Sequence, residues 1–175
     1  MVTQFFADET KQRGYQMVLV TAGGAEQVEE LRKLMRGLVL KGQRRVHMKK
    51  EDDSRRRAIA AAICGSGVTA TVYDAGRRYR RELDAREACL RQIVADLSGQ
   101  PDLLVLEQDD SLLDWDRRLL YRLTRNAKAD GLGYEHRRAA TEALLAVPDA
   151  IAWCWAKGGD WRRRIEPVVL AAHEV

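Results

Sequence analysis

The pattern of hydrophobic and polar residues divides the first third of the chain into short strands and one helix. Residues 4–7 and 15–21 are apolar runs of strand length, and the KQRG sequence between them predicts a hairpin turn. Residues 26–40 carry apolar side chains at helical spacing and predict a helix that ends before Gly42. The segment RRVHMK, residues 44–49, is predicted as a third strand.

The rest of the chain alternates between strands and helices. Strands are predicted from VTATVY, LLVL and LGYEHRRA, at residues 68–73, 103–106 and 132–139. Helices are predicted around residues 58–63, over residues 77–97, after Ser111 and from Pro148. This order predicts one α/β domain over residues 1–175, with a mixed sheet that starts antiparallel, continues parallel and is flanked by helices.

The composition is that of an ordinary globular protein. With 175 residues, 46% of them hydrophobic, the chain is long enough for one sizeable core. No stretch approaches about 18 consecutive apolar residues, so no membrane span is expected, and the N-terminus lacks the layout of a secretion signal. Cys64, Cys89 and Cys154 are odd in number and far apart, so we expect reduced thiols, no zinc site and a cytoplasmic protein.

Acidic side chains stand where three predicted strands end. FFADE ends on Asp8 and Glu9, TVYDAG contains Asp74, and LLVLEQDD continues into Glu107. A further acid, Asp149, lies in the first turn of a helix that contains two tryptophans. Because ligands of open α/β sheets bind beyond the carboxyl ends of the strands, neighbouring strands would bring these carboxylates together.

Carboxylates that converge repel one another, so they either take up protons or bind a cation. Oxygen ligands without cysteine suit Mg²⁺ or Mn²⁺, and two such ions about 4 Å apart can clamp an in-line phosphoryl displacement. The residue types therefore favour metal-assisted phosphodiester chemistry. Taken singly, each acid also suits a structural role, because Asp initiates turns and caps helices: Asp74 before AGRR, Asp110 before Ser111 and Asp149 after Pro148 are such positions.

The order of elements resembles the ribonuclease H-like superfamily, with an acid at the end of the first strand and another in the last helix. Within it the chain is similar to an uncharacterised bacterial family, domain-of-unknown-function family 3800, whose first strand ends in Asp-Glu-Ser and whose last helix begins near an Asp. The matching segments here are FADET and VPDAIAWCW. Two departures stand out, because Thr10 replaces the usual Ser and Lys11 replaces a common Gly.

This resemblance implies a divalent-metal-dependent nuclease with Asp8, Asp74 and Asp149 as catalytic metal ligands. Glu9, which follows the first acid, and Glu107 are auxiliary catalytic candidates. The match of Asp74 requires its strand to lie beside the first strand. If the strand that ends in Glu107 lies there instead, the assignment changes.

Arginine is concentrated in short runs, although the net charge is only +4. Since the guanidinium group binds phosphate through a planar fork of donors, these runs favour a nucleic-acid partner. A basic helix face that is merely solvated is the alternative. The predicted contacts to nucleic acid are Arg77, Arg78, Arg80, Arg137, Arg138 and His47.

The leading hypothesis is therefore a Mg²⁺- or Mn²⁺-dependent nuclease, or a related phosphoryl-transfer enzyme. The rival is a non-catalytic module on the same fold that binds nucleic acid or protein and uses the acids as caps. A hydrolase of a small phosphorylated compound would also use the acids, but it would leave the arginine runs without a role.

Overall fold

The computed structural model describes residues 2–175, and a six-stranded mixed sheet forms its centre; Met1, part of the predicted domain, lies outside the described residues. The strands are β1 (Gln4–Thr10), β2 (Tyr15–Ala22), β3 (Thr69–Gly76), β4 (Leu103–Glu107), β5 (Gly133–Arg137) and β6 (Val169–Glu174). Their order across the sheet is β5-β4-β1-β2-β3-β6.

Over residues 2–175, six α-helices cover the sheet: α1 (Ala25–Gly37), α2 (Asp53–Gly65), α3 (Glu82–Asp96), α4 (Leu113–Asn126), α5 (Ala146–Lys157) and α6 (Gly159–Ile165). Three short 3₁₀ helices span Met48–Lys50, Ala143–Leu145 and Glu166–Val168. In the part of the chain that the structure describes, no helix is long and apolar enough to cross a membrane.

The strand directions confirm the predicted mixed sheet. β1, β2 and β3 form an antiparallel meander, while β4 and β5 continue from β1 in parallel. β6, which the sequence pattern did not reveal, adds in parallel beside β3 at the far edge. Its side chains are largely exposed, so it lacks the apolar alternation that marks a half-buried strand.

The predicted strand at residues 44–49 is wrong. This segment is a loop that runs into the 3₁₀ helix Met48–Lys50, and β3 supplies the third strand of the meander. Val46 and Met48 are buried in the core, whereas His47 between them is half-buried. That alternation has the period of a strand, but it arises from packing on helices, without a neighbouring strand.

Each face of the sheet carries its own hydrophobic core. Phe6 and Val18 point to the face covered by α1, α2, α5 and α6. Phe5 and Ala7 point to the opposite face, covered by α3 and α4. Because side chains alternate along a strand, Asp8 continues the first of these faces and Glu9 the second. The two adjacent acids therefore project into different environments.

The hairpin between β1 and β2 depends on Gly14. Its φ is +95°, a left-handed conformation that side chains other than glycine rarely adopt. A Cβ atom at this position would lie 2.8 Å from the carbonyl carbon and oxygen of Gly76 in β3. This contact brings the turn at residues 11–14 against the end of the third strand and fixes where Lys11 and Gln12 emerge.

A buried arginine on α3 links α4 to the sheet, on the face that α3 and α4 cover. Arg86 is 3% exposed and donates two hydrogen bonds, of 2.8 and 2.7 Å, to the carboxylate of Asp116. It also binds Glu9 at the end of β1 and the Tyr15 hydroxyl in β2. Burial alone would raise the pKa of Asp116, but hydrogen bonds from His136 and Arg86 hold it below its ordinary value. The pair therefore stays ionised within the core.

We expect Arg86→Met to lower the free energy of unfolding by about 3–5 kcal/mol, because it leaves Asp116 as a buried charge without its main partner. Arg91→Met is the matched control, since Arg91 lies on the same helix and binds Glu87 at 2.7 Å, but is exposed. The control should lose less than about 1 kcal/mol. Urea denaturation measures both values, and equal losses would show that the buried network is not a main source of stability.

Candidate active site

The carboxyl ends of β1 and β4 place Asp8 and Glu107 next to each other. The two strands are parallel neighbours, and Ala7 pairs with Leu106, one residue before each acid. Phe6 and Val105, two residues before each acid, belong to the same core. Because side chains alternate along a strand, the two carboxylates project to that same face of the sheet. Of the strand-end acids, Glu107 is thus the neighbour of Asp8.

Helix α5 brings a third acid, Asp149, over this corner. The helix packs on β1 and β2, with Pro148 and Ala150 buried on either side of Asp149. One carboxylate oxygen, Oδ2, accepts a hydrogen bond of 3.0 Å from the backbone N–H of Met48. The same oxygen lies 3.4 Å from Nδ1 of His47. The loop before the 3₁₀ helix therefore holds Asp149 in place.

Two of these acids are poorly compensated. Burial raises the pKa of Asp8 well above its ordinary value, and the nearby charges of Asp149 and Glu107 raise it further. Burial also raises the pKa of Glu107, although Arg45 opposes the shift. Asp8 and Glu107 therefore favour either protonation or a bound cation. We call Asp8, Glu107 and Asp149 the acid cluster.

The acid cluster lines an open cavity of about 580 Å³. Two basic residues of the loop after α1 stand at its wall: Arg45, whose Nη2 is 3.8 Å from Glu107 Oε1, and His47. His47, one of the predicted nucleic-acid contacts, therefore lines this cavity, and its role stays a prediction. Arg45 was not among the predicted site residues, because its segment RRVHMK was predicted as a strand.

Glu9 belongs to the other face of the sheet. Its carboxylate binds Arg86, which neutralises its charge, although Glu9 also borders the cavity. Strand alternation predicts this separation from Asp8. Arg86 itself could not be identified from the sequence, because its ionic partners Glu9 and Asp116 are distant in the chain.

Asp74 does not join the acid cluster, and the predicted adjacency of its strand to β1 is wrong. β2 lies between β1 and β3. After the hairpin, β3 pairs antiparallel with β2 and does not add in parallel beside β1. Asp74 accepts hydrogen bonds from the Gly76 backbone N–H at 2.8 Å and from Gln16 Nε2 at 3.1 Å. Asp74 therefore stabilises a turn, which is the structural role that was expected for it as the alternative to metal binding.

The acids at the end of β4 and just after it have two roles. Glu107, the last residue of the strand, is the neighbour of Asp8, while Asp109 and Asp110 border the same cavity from an exposed loop. Asp109 accepts hydrogen bonds from the backbone N–H and the hydroxyl of Ser111. Asp110 binds Gln108 and Arg138. These two acids stabilise the loop that follows the strand.

The arginines predicted to contact nucleic acid lie in two places. Arg137 and Arg138 follow β5 near the cavity, but both are engaged by carboxylates. Arg137 binds Glu135 and Glu142, each at 2.8 Å. Their guanidinium groups are therefore partly neutralised.

The second group lies at the same edge of the sheet, two strands away from β1. Arg77, Arg78 and Arg80 are exposed in the loop between β3 and α3. Arg78 donates hydrogen bonds to the backbone carbonyls of Asp74 and Val175. This group is separated from the acid cluster by β2, so it lies outside the cavity.

The donor chemistry of the acid cluster fits a hard divalent cation, since it offers only carboxylate oxygens and carries excess negative charge. The arrangement is not that of a formed metal centre. Among residues 2–175, no group of three or more His, Cys, Asp or Glu side chains is placed as a set of metal ligands. Asp8, Glu107 and Asp149 would have to close around an ion to bind it together.

Comparisons with known proteins bear on the fold. No protein-family model matches the chain, and no curated protein matches it. The chain is similar to a solved structure of ribonuclease HII from Archaeoglobus fulgidus in complex with PCNA, at 15% identity and a TM-score of 0.58, over 94% of this chain and 75% of that chain. At this identity the likeness shows the fold alone: a mixed α/β sheet of ribonuclease H-like type, as predicted. The resemblance to domain-of-unknown-function family 3800 stays a prediction.

Proposed function

We propose that the protein is a divalent-metal-dependent nuclease, or a related phosphoryl-transfer enzyme that acts on nucleic acid. One observation carries the proposal: β1, β4 and α5 each contribute an acid to one corner of the sheet, where burial and neighbouring charge raise the pKa of Asp8. A purely structural set of acids would be placed beside donors rather than beside one another. The ribonuclease H-like fold, which the chain shares with a ribonuclease, supports the same conclusion.

A Mg²⁺ or Mn²⁺ ion held by Asp8, Glu107 and Asp149 would supply Lewis-acid stabilisation of charge on a phosphoryl group and acidify a bound water. The chain itself supplies the binding groups around this position. Arg45 lies at the cavity wall, where its guanidinium can donate to a phosphate oxygen when it leaves Glu107. His47, whose Nδ1 lies 3.4 Å from Asp149 Oδ2, lines the same cavity and could exchange a proton with a substrate bound there.

A second candidate is a non-catalytic module that binds nucleic acid or protein. Its support is the charge compensation already present around the cavity: each of three acids has a basic side chain within 4 Å, in the pairs Glu9–Arg86, Glu107–Arg45 and Asp149–His47. In this candidate the acids position basic residues, and no cation is needed. Metal binding therefore separates the two functions.

The first prediction for this function concerns how much the buried Asp8 carboxylate lowers the stability of the folded protein when no metal is bound. The folded-state pKa of Asp8 is raised, so the unfolded chain releases this proton first as pH increases. The Asp8 carboxyl therefore costs stability above its ordinary pKa, and more as pH approaches the folded-state pKa. In EDTA at neutral pH we expect Asp8→Asn to raise Tm by a few degrees, where each kcal/mol gives about 2–4 °C in a chain of this length. Near pH 3, below the ordinary value of 3.8, the difference should vanish. A pH-independent Tm difference would contradict the assignment.

The second prediction concerns metal binding, measured by thermal unfolding. Mg²⁺ or Mn²⁺ at about ten times its Kd should stabilise the wild-type protein by about 1.4 kcal/mol. Asp8→Asn should abolish the shift. Asp74→Asn is the matched control and should retain it, because Asp74 is outside the acid cluster. If no shift occurs at millimolar metal, or if Asp8→Asn keeps the full shift, the non-catalytic module is the better description.

The third prediction concerns cleavage. Labelled single- and double-stranded DNA and RNA and an RNA–DNA hybrid, incubated with Mn²⁺, should include at least one substrate that is cut. Glu107→Gln should lower that rate by at least about 100-fold. Removing a group that only hydrogen-bonds to a metal ligand costs up to about 100-fold, and removing a ligand itself should cost at least as much. Asp74→Asn should cut at the wild-type rate. Cleavage that persists in EDTA, or at full rate in Glu107→Gln, would exclude this mechanism.

A further inference from the structure

We propose that a groove beside the acid cluster binds the nucleotide next to the reacting phosphate, so that the substrate is a polynucleotide strand and not a mononucleotide or another small phosphoester. This inference rests on the proposed nuclease function and names its substrate class. The groove is a second cavity, of about 430 Å³. It is lined by Glu9, Thr10, Lys11, Gln12, His47, Lys49, Asp149, Ala152 and Trp153.

The groove adjoins the cavity of the acid cluster. Three residues, Glu9, His47 and Asp149, line both spaces. A ligand whose phosphate lies at the acid cluster therefore has the groove as its immediate neighbour. The volume is within the range of about 300–1,000 Å³ in which proteins enclose small-molecule-sized groups. One nucleotide of a longer chain is a ligand of this size.

Lys49 provides the positive charge that a second phosphate needs. Its side chain is exposed, and in the part of the chain that the structure describes no carboxylate lies within 4 Å of its ammonium group. The other lysine of the groove, Lys11, is bound to Glu82 at 2.7 Å. The backbone at Lys49 is held by Arg56, which donates to the Lys49 carbonyl at 3.2 Å. An ammonium on a fixed backbone, uncompensated and beside acids, suits the next phosphate of a strand.

Trp153 and Ala152 of α5 provide the apolar wall. The Trp153 ring is held in place by the Arg56 guanidinium, 4.4 Å from its centroid, and by the edge of Trp161 at 5.1 Å. The part of the ring that borders the groove presents a rigid, half-buried apolar surface. Such surfaces pack against bases and sugars without selecting a sequence.

These features together separate a strand from a small phosphoester. A single phosphate at the acid cluster would leave both Lys49 and the Trp153 wall without a ligand. A strand places one phosphate at the acid cluster, the neighbouring base or sugar on Trp153 and the next phosphate near Lys49. The groove therefore contributes to binding only when the substrate has at least one further nucleotide.

The test is the binding of labelled single-stranded DNA and RNA of about 12 nucleotides, followed by fluorescence anisotropy over a range of salt concentrations. Millimolar Ca²⁺, which also takes oxygen ligands, replaces Mg²⁺ so that the strand is bound and not cut, and gel electrophoresis checks that it stays intact. Lys49→Gln should weaken binding by about threefold to tenfold and reduce the slope of log K against log salt by about 0.7. Trp153→Phe should weaken binding roughly threefold. Lys50→Gln and Trp155→Phe are the matched controls, since each makes the same chemical change one or two residues away, outside the groove. Both controls should bind like the wild type.

Competition with thymidine monophosphate completes the experiment. The mononucleotide should displace the oligonucleotide at least about 100-fold less effectively, because it cannot occupy both phosphate positions. Equal effects of Lys49→Gln and Lys50→Gln, absence of oligonucleotide binding, or equal competition by the mononucleotide would each overturn the inference. If any of these occurs while Mg²⁺ still stabilises the wild type through Asp8, the metal site stands and only the groove is wrong.

Discussion

The guanidinium of Arg86 is buried between the end of β1 and helix α4, where it binds Glu9 and Asp116 at once. A buried cation is costly unless its donors are satisfied, and here two carboxylates and the Tyr15 hydroxyl satisfy them. The arrangement depends on the side of β1 to which each acid projects. Because Glu9 is committed to Arg86, Asp8 is the residue of the pair that remains for the opposite face.

On that opposite face the balance of charge is reversed. Among residues 2–175, the Glu9 backbone N–H is the only group that donates a hydrogen bond to Asp8, at 2.8 Å, and Asp8 faces two further acids. Arg86 stabilises one side of the strand end, while the other side retains electrostatic repulsion that folding alone does not relieve. Unfavourable electrostatic energy of this kind is typical of sites where a bound ligand relieves it. The acid cluster is therefore the candidate site, and the Arg86 network, whose charges are paired, is not.

Sequence patterns located acids at one edge of the sheet but did not determine which of them are neighbours. Asp8 and Glu107 stood out by their positions at strand ends, and Asp149 by its place in the first turn of a helix. The ligands predicted from the resemblance were Asp8, Asp74 and Asp149, with Glu107 as an auxiliary candidate. The choice between Asp74 and Glu107 depends on strand order, which is set by long-range pairing that no local pattern contains. The same limit applies to Arg86, since its partners lie 77 and 30 residues away in the chain.

The segment at residues 44–49 shows how a loop that lines a cavity can imitate a strand. Val46 and Met48 are buried at alternate positions because the loop lies across the helix layer, and the residue before each of them, Arg45 and His47, is thereby directed toward the acids. The hydrophobic period is real, but it anchors a loop whose polar side chains line a cavity. Alternation measures one-sided burial, and a neighbouring strand is only one of the surfaces that can cause it.

The arginine runs likewise predict less than their density implies. Arg56, Arg162 and Arg164 lie over the rings of Trp153, Trp155 and Trp161, at 4.4, 4.4 and 5.9 Å from the ring centroids. These guanidinium groups build the scaffold around α5 and α6 and are already engaged by aromatic faces. A run of basic residues contributes to phosphate binding only through the charges that the fold leaves uncompensated. Near the acid cluster that criterion favours Lys49 over the arginines, so this one side chain at the groove indicates a ligand better than the runs do.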